Sequence, residues 1–292
     1  MRNGLWNKVY LSDVVDGLKK IEDKSVDCVL IDPPYNIGYD FGNNECRKEM
    51  KEYVAWANEW ISESQRILKD TGTMFIYGFS EILAHISVSL DMNHRWLIWH
   101  YTNKTTPSSK FWQRTHEAII CAWKDKDNRL FNVDDVREPY TENFIKGYKG
   151  KGKKRPGTSG RFGSKGTTVY EVNEKGALPR DVIKVSALAG GAGAKSRISF
   201  CRDCQVSILG RKEGQQHKDH DVVKHPTQKP FQLTKRLLMS CMPENGRVVI
   251  PFVGTGSECL IAKKLNFDYI GFDLNPDFVK MANDVIGKDI EL

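Results

Sequence analysis

Val26-Asp27-Cys28-Val29-Leu30-Ile31-Asp32-Pro33-Pro34-Tyr35 decides the reading of this chain. The first six residues are mostly apolar, rich in β-branched types and ended by prolines, the pattern of a strand buried in a parallel sheet. Two successive prolines lack N–H groups and fix φ, so the chain leaves the strand stiffly with its carbonyls free to accept. The result is a rigid rim at a strand's carboxyl end, where open α/β sheets hold their ligands. That rim carries a carboxylate, a carbonyl and an aromatic ring. A flat ring bearing an exocyclic amine requires that set: two acceptors for two N–H groups and a surface to stack on. Taken alone, the tetrapeptide is equally readable as a strand followed by a proline turn that Asp32 caps.

Upstream, Lys8-Val9-Tyr10-Leu11 reads as a short strand ending at Ser12-Asp13, with a helical stretch to Ile21. Downstream, Tyr39 to Lys48 is polar and contains glycine, a mobile loop beside the rim. Met50 to Leu68 sets Tyr53, Val54, Ala57, Trp60, Ile61, Ile67 and Leu68 on one helical face. A strand over Thr73–Phe79, a helix over Glu81–Leu90, and strands over Trp96–Tyr101 and Ala118–Trp123 follow. Alternating strands and helices predict a doubly wound, mostly parallel α/β sheet.

The chain has 292 residues, enough for a large core, and a net charge of +7 that leans toward an anionic partner. No apolar run reaches the roughly 18 residues of a membrane span, and Met1-Arg2-Asn3-Gly4 lacks the apolar segment of a signal peptide. Seven cysteines, most of them single in apolar segments (Cys28, Cys121, Cys259), fit reduced thiols in a cytoplasm.

Periodicity fades between Asn103 and Phe200. Lys146, Lys149, Lys151, Lys153, Lys154, Arg155, Arg161 and Lys165 crowd one glycine-rich stretch with no acid among them, and Tyr148 and Phe162 interleave. A dense block of one sign beside aromatics predicts contact with a phosphate backbone rather than a solvated charge run. Ala189 to Ala194 is a flexible joint. Beyond it, Cys201-x2-Cys204 and His217-x2-His220 form a set of four donors able to give structural zinc a tetrahedron. The histidine spacing is one short of the usual three to five, and a polar loop with two free thiols is the other reading.

Order returns at Lys224-His225-Pro226-Thr227-Gln228-Lys229-Pro230, which opens a helix carrying Leu233, Leu237 and Leu238. Arg247-Val248-Val249-Ile250 is a buried strand, Pro251-Phe252-Val253-Gly254-Thr255-Gly256 a tight turn, and Glu258–Leu265 a helix. Gly254 and Gly256 let backbone approach a ligand at a helix start. Tyr269-Ile270-Gly271-Phe272 then ends in Asp273, an acid at a strand tip, where doubly wound folds hold a ribose diol.

Three stretches in this order, Asp32-Pro33-Pro34-Tyr35, His225-Pro226-Thr227-Gln228-Lys229-Pro230 and Phe252-Val253-Gly254-Thr255-Gly256, resemble the β-type amino-methyltransferases of DNA. These are S-adenosylmethionine (AdoMet)-dependent bacterial and phage enzymes. The resemblance covers the two ends of the chain and implies a class I methyltransferase fold, a Rossmann-like sheet with permuted motif order and an inserted target-recognition region. It divides the chain into a catalytic half (1–102), a target-recognition and DNA-binding region (103–221) and a cofactor half (222–292). It implies that Asp32, Pro33, Pro34 and Tyr35 are catalytic, with Asp13 near the adenine of AdoMet and Asp273 at its ribose. Phe252, Gly254 and Gly256 would shape the cofactor turn, with Thr227 and Lys229 near the methionine end. The implied reaction is methyl transfer to N6 of an adenine flipped out of double-stranded DNA, with no cysteine nucleophile and no membrane. Cytosine N4 is the alternative acceptor, and a non-catalytic DNA-binding protein on the same fold a further one. The family also allows a homodimer and a companion restriction endonuclease. Two departures stand out: Ile250 where the family usually has an acid, and Ser257-Glu258 where it has small hydroxyl residues.

Overall fold

The computed structural model describes residues 4–36, 38, 48–101, 103, 109–147, 154–155, 168–169, 172–189, 195–288 and 290. In chain order the elements begin with β1 (Lys8–Leu11), α1 (Val14–Leu18), β2 (Val26–Ile31), α2 (Met50–Ile67) and β3 (Leu68–Gly78). There follow α3 (Ser80–Ser89), β4 (Asn93–His100), β5 (His116–Trp123), α4 (Glu142–Gly147), β6 (Lys154–Arg155) and β7 (Thr168–Val169). Next come β8 (Val182–Lys184), β9 (Ile198–Cys201), β10 (Val206–Leu209), α5 (Gly210–Gln216) and β11 (Val222–Lys224). The last are α6 (Phe231–Cys241), β12 (Arg247–Ile250), α7 (Ser257–Lys264), β13 (Asp268–Asp273) and α8 (Pro276–Gly287).

An eight-stranded sheet runs in the order β1-β13-β12-β2-β3-β5-β4-β8. All its neighbouring pairs are parallel except β3/β5 and β5/β4, so β5 alone is reversed. The two ends of the sequence thus meet at mid-sheet, where β12 pairs with β2 through Val248↔Cys28 and Val249↔Val29. This is a doubly wound α/β sheet. Every residue of β2 is buried, as a strand covered by helices on both faces must be. One face packs α2 through Tyr53, Ala57, Trp60 and Ile61, and the other packs α6, α7 and α8 through Leu237, Leu260 and Met281. Trp60 is fully buried, so truncating it would cost about 3–5 kcal/mol.

The compact units do not follow the boundaries drawn from sequence. Residues 132–180 form one unit, and 1–131 with 181–292 form the other. Of the region drawn over 103–221, residues 103–131 and 181–221 belong to the large unit and 132–180 form the small one. Ala118, Ile119, Ile120 and Ala122 of β5 are completely buried, and an apolar strand of that kind has to lie inside the sheet. Strands β9, β10 and β11 make a small antiparallel sheet that is fastened to α8. Ser207 N donates to Asp284 (2.6 Å), its Oγ donates to the Met281 carbonyl (2.8 Å), and the Arg202 guanidinium reaches Asp277 (2.7 Å).

Within the smaller unit, Glu138 and Ala177 bridge, and Arg180 pairs with Glu138 at 2.6 Å. The antiparallel pair β6/β7 contains Lys154 and Arg155, and the Lys146 ammonium in α4 lies 3.5 Å from Glu142. Of the expected DNA contacts, Lys149, Lys151, Lys153, Arg161 and Lys165 lie outside the described residues, as do loop residues 39–47. Among the described residues no helix is long and apolar enough to cross a membrane.

Candidate active site

The carboxyl ends of β1, β2, β12 and β13 open into one cavity of about 410 Å3. Its wall includes Asp13, Asp32, Pro33, Pro34, Tyr35, Thr227, Lys229, Phe252, Gly254 and Asp273, so the three motifs come together although some 200 residues separate the first from the others. Gly256 does not line it; this residue sits below the turn at φ +82°, with a Cβ position 2.6 Å from Ala282 Cα, where any side chain would collide with α8. Gly254, at φ +52°, is pressed against His225 (Cβ position to Nε2, 3.0 Å). Both glycines are required by the tight approach of backbone to backbone and ring.

The chain leaves β2 at Asp32, and the side chain is held from two directions. Lys229 Nζ donates to Oδ1 (2.8 Å) and Oδ2 (2.7 Å), and the Tyr35 hydroxyl, its one proton shared between them, lies 2.9 Å from both Oδ1 and Glu117 Oε2. Glu117 Oε1 accepts from Tyr101 at 2.6 Å, and its Oε2 lies 3.7 Å from the lysine. One ammonium thus faces two carboxylates and two phenols. Burial works to lower the Lys229 pKa, but Asp32 and Glu117 outweigh it and hold it above the ordinary value. The rings of Tyr35 and Tyr77 lie 5.2 and 5.1 Å from its nitrogen and add cation–π attraction.

Tyr35 lines the cavity, is 6% exposed and packs edge-on against Phe79 at 5.0 Å. Its hydroxyl, given no role from the motif, stands between Asp32 and Glu117. The Pro34 carbonyl is taken by the Tyr53 hydroxyl at 2.8 Å, which fixes the rim from α2.

Asp13 caps α1, accepting from Val15 N (2.8 Å) and Asp16 N (3.3 Å). Asp273 accepts from Gly254 N (2.9 Å) through one oxygen and from Asn275 N (2.8 Å) through the other. Burial raises its pKa, and these N–H groups partly oppose that. Both carboxylates line the cavity, where they can also accept from a ligand hydroxyl or amine. His225 stands beside the glycine turn; burial, with the Lys229 charge, drives its pKa down to about 3, so the ring is neutral at physiological pH.

Several residues were not singled out from sequence. Trp56 and Phe278 add aromatic wall, Trp56 meeting Phe252 edge-on at 5.9 Å. Glu117 precedes the apolar run of β5, and an acid entering a buried strand was its one visible signal. Glu258, noted from sequence only as a departure from the family pattern, is 5% exposed and lines the cavity, its carboxylate taking the Ser257 hydroxyl at 2.6 Å. Burial, aided by the Asp32 charge, lifts its pKa to about 7. Ile250, where an acid was expected, is 1% exposed in the core. Glu258, in the first turn of α7, puts an acid on the cavity wall close to that strand end.

A separate cluster joins Cys201, Cys204, His217 and His220, whose donor atoms all lie within 4.8 Å of one another.

A family model described as DNA methylase matches residues 26–284. The type II methyltransferase M.HpaI of Haemophilus parainfluenzae is 26% identical over 95% of this chain and 73% of its own length. The DNA adenine methyltransferase YhdJ of Escherichia coli K12 is 26% identical over 92% and 79%. Among solved structures, the PvuII DNA methyltransferase (cytosine-N4-specific) superposes with a TM-score of 0.64, at 14% identity over 97% of this chain and 87% of that one. The M1.HpyAVI–SAM complex gives 0.55, at 17% identity over 94% and 97%. At such identities the structural likeness is one of fold.

Proposed function

Since the chain belongs to the DNA methylase family, whose model spans most of it, we propose that it transfers a methyl group from AdoMet to N6 of an adenine flipped out of duplex DNA. The observation that carries this reading is the single cavity in which Asp32 of the Asp-Pro-Pro-Tyr rim faces the Phe252–Gly254 turn and Asp273.

The residues fit the cofactor. The cavity falls within the roughly 300–1,000 Å3 of small-molecule sites. Asp273 on the cavity wall is an acceptor for a ribose diol, and Asp13 is one for a purine amine. When bound, AdoMet supplies an electrophilic methyl on a sulfonium. The protein's task is to orient a weak nucleophile toward it.

Asp32 and the Pro33 carbonyl would accept the two N–H bonds of the flipped amine. That draws the nitrogen lone pair out of ring conjugation and aims it in line. Lys229 and Tyr35 hold the carboxylate still, and rigid placement of charge is where such a site gains most. The nitrogen attacks directly; its surplus proton leaves afterwards, to Asp32 or to water. Attack of an amine on a sulfonium methyl needs no Lewis acid, so the thiol–imidazole cluster has no part in the chemistry. Extruding the base costs a few kcal/mol, which backbone contacts from the basic stretch around Lys154 and Arg155 would offset. The relatives' type II names extend the proposal to a restriction–modification setting, with a companion endonuclease cutting the same DNA.

A second reading, methylation of cytosine N4, is favoured by the fold likeness to a cytosine-N4-specific enzyme. The initial Asp of the tetrapeptide favours adenine. The test incubates the chain with duplex DNA and methyl-labelled AdoMet, digests to nucleosides and identifies the labelled one by mass spectrometry. Label in N6-methyladenine is expected. Label in N4-methylcytosine would establish the second reading, and none in either across genomic DNAs of varied composition would overturn both.

A further inference from the structure

The four donors near α8 are arranged for a purpose that the methyl-transfer site does not use. His220 Nδ1 lies 3.3 Å from Cys201 Sγ, 3.3 Å from Cys204 Sγ and 3.3 Å from His217 Nδ1. Ligands placed about 2.0–2.1 Å (nitrogen) and about 2.3 Å (sulfur) from one ion have tetrahedral edges of about 3.3–3.4 Å between nitrogens and about 3.6 Å between nitrogen and sulfur. The nitrogen–nitrogen spacing matches its edge, the two nitrogen–sulfur spacings are about 0.3 Å shorter than theirs, and all four donors lie within 4.8 Å of one another, so small side-chain adjustments would seat one ion among them.

The local backbone supports the same conclusion. Cys201 ends β9, Cys204 lies in the turn, and Val206 opens β10 opposite Cys201. Gln205, directly after the second cysteine, takes φ +56°, a left-handed turn that a non-glycine residue adopts only when its surroundings demand it. That turn points Cys204 N at Cys201 Sγ (3.4 Å), so an N–H group already stands ready to support a thiolate. The loop from His217 to Asp221 is held to this turn by two hydrogen bonds, Arg202 N to the Asp221 carbonyl (2.9 Å) and Asp221 N to the Asp203 carboxylate (2.8 Å). Both pairs of donors are therefore fixed by hydrogen bonds other than their own.

We propose that Cys201, Cys204, His217 and His220 bind one zinc ion in a closed, structural tetrahedral site. The donor set is soft and borderline, which selects zinc over magnesium or calcium, and four protein ligands leave no position for substrate. The thiols bind as thiolates and release their protons to solvent.

The position of the site gives it a consequence. β9 and β11 pair with each other, and β11 runs directly into His225. At the far end of β9, Gln228 accepts from Ile198 N and donates to the Ser196 carbonyl, both at 2.8 Å. The next residue is Lys229, on Asp32. The ion would pin one end of this small sheet, and Gln228 already pins the other, so the metal would steady the segment that delivers Lys229.

The test uses the full chain, untagged, purified under reductant without chelator. Elemental analysis is expected to find about one zinc per chain. Cobalt(II) titrated into the demetallated protein should give tetrahedral d–d bands and thiolate-to-cobalt charge transfer, and Cys204→Ser, at an exposed position, should cut the charge transfer to about half. Chelation should speed amide exchange across Ile198–Cys201 and Val222–Lys224 about tenfold or more, with Val26–Ile31 unchanged. Clearly substoichiometric zinc that added zinc does not raise would overturn the proposal. So would a cobalt spectrum indifferent to Cys204→Ser.

Discussion

The Lys229 ammonium spans both carboxylate oxygens of Asp32, at 2.8 and 2.7 Å, with the lysine side chain 1% exposed. A buried charge is tolerable only when paired, and here two carboxylates share one cation. Removing the cation should therefore hurt more than removing one carboxylate. Lys229→Met is expected to lower unfolding free energy by about 3 kcal/mol, since Asp32 and Glu117 would face each other without a counter-charge. Lys229→Met combined with Glu117→Gln should recover part of that loss. A denaturation cycle in which the two losses simply add would refute the shared pairing.

Asp32 is expected to be indispensable for transfer. Asp32→Asn keeps the shape but replaces one acceptor by a donor, so turnover should fall by at least about a hundredfold. AdoMet binding, measured by calorimetry, should change little. Near-normal turnover would remove Asp32 from the acceptor role.

Tyr35→Phe isolates the hydroxyl. The ring and its packing on Phe79 remain, while the bonds from Oη to Asp32 and Glu117 disappear. One hydrogen bond is worth about 1 kcal/mol, or roughly a fivefold fall in kcat if it only steadies Asp32. Tyr35→Ala should do worse, by opening a void beside Phe79. Equal kcat for Tyr35→Phe and the parent would show that the hydroxyl is not what fixes the carboxylate.

Replacing Lys151, Lys153, Lys154 and Arg155 together by glutamine should weaken DNA binding and flatten the dependence of log K on log salt. The slope should fall by up to about 0.9 for each phosphate that the protein no longer neutralises. AdoMet binding should be indifferent. An unchanged slope would make the block a solvated loop.

The sheet was legible because β2, β12 and β13 are apolar runs that only a doubly covered sheet can bury, each ending in a recognisable turn. The small unit was not, because glycine and lysine in residues 146–166 carry no period to read. That residues 118–122 join the large sheet was only half legible. Sequence shows that residues 118–122 are apolar but not that β5 runs antiparallel between β3 and β4. At the site, Asp32, Phe252 and Asp273 announce themselves by their turns. Glu117 does not, and Glu258 shows only as a departure from the family pattern, because a lone acid in an apolar segment gains meaning only when folding places it beside another charge.

Glu258 sets the final prediction. Its carboxyl is buried at the cavity wall, and its pKa stands at about 7, against an ordinary value of 4.5. Burial is the main cause, and the Asp32 charge adds to it. A raised carboxyl pKa means that the unfolded chain loses this proton first, so the folded state loses stability as pH climbs from about 4.5 to about 7. Stability is retained below that window. The difference corresponds to an upper figure of roughly 3 kcal/mol, and Glu258→Gln should flatten the curve in that range. Ligand binding should show the same group with the opposite sign. The AdoMet sulfonium is a cation, and a cation bound near Glu258 favours its carboxylate. Affinity should therefore rise with pH up to about 7 and then level, with proton release visible in calorimetry run in buffers of different ionisation heat. Glu258→Gln should abolish both the rise and the release. Parallel pH profiles for the two proteins would mean that Glu258 stays neutral with the cofactor bound, and that the acid in α7 does not stand in for the one absent at Ile250.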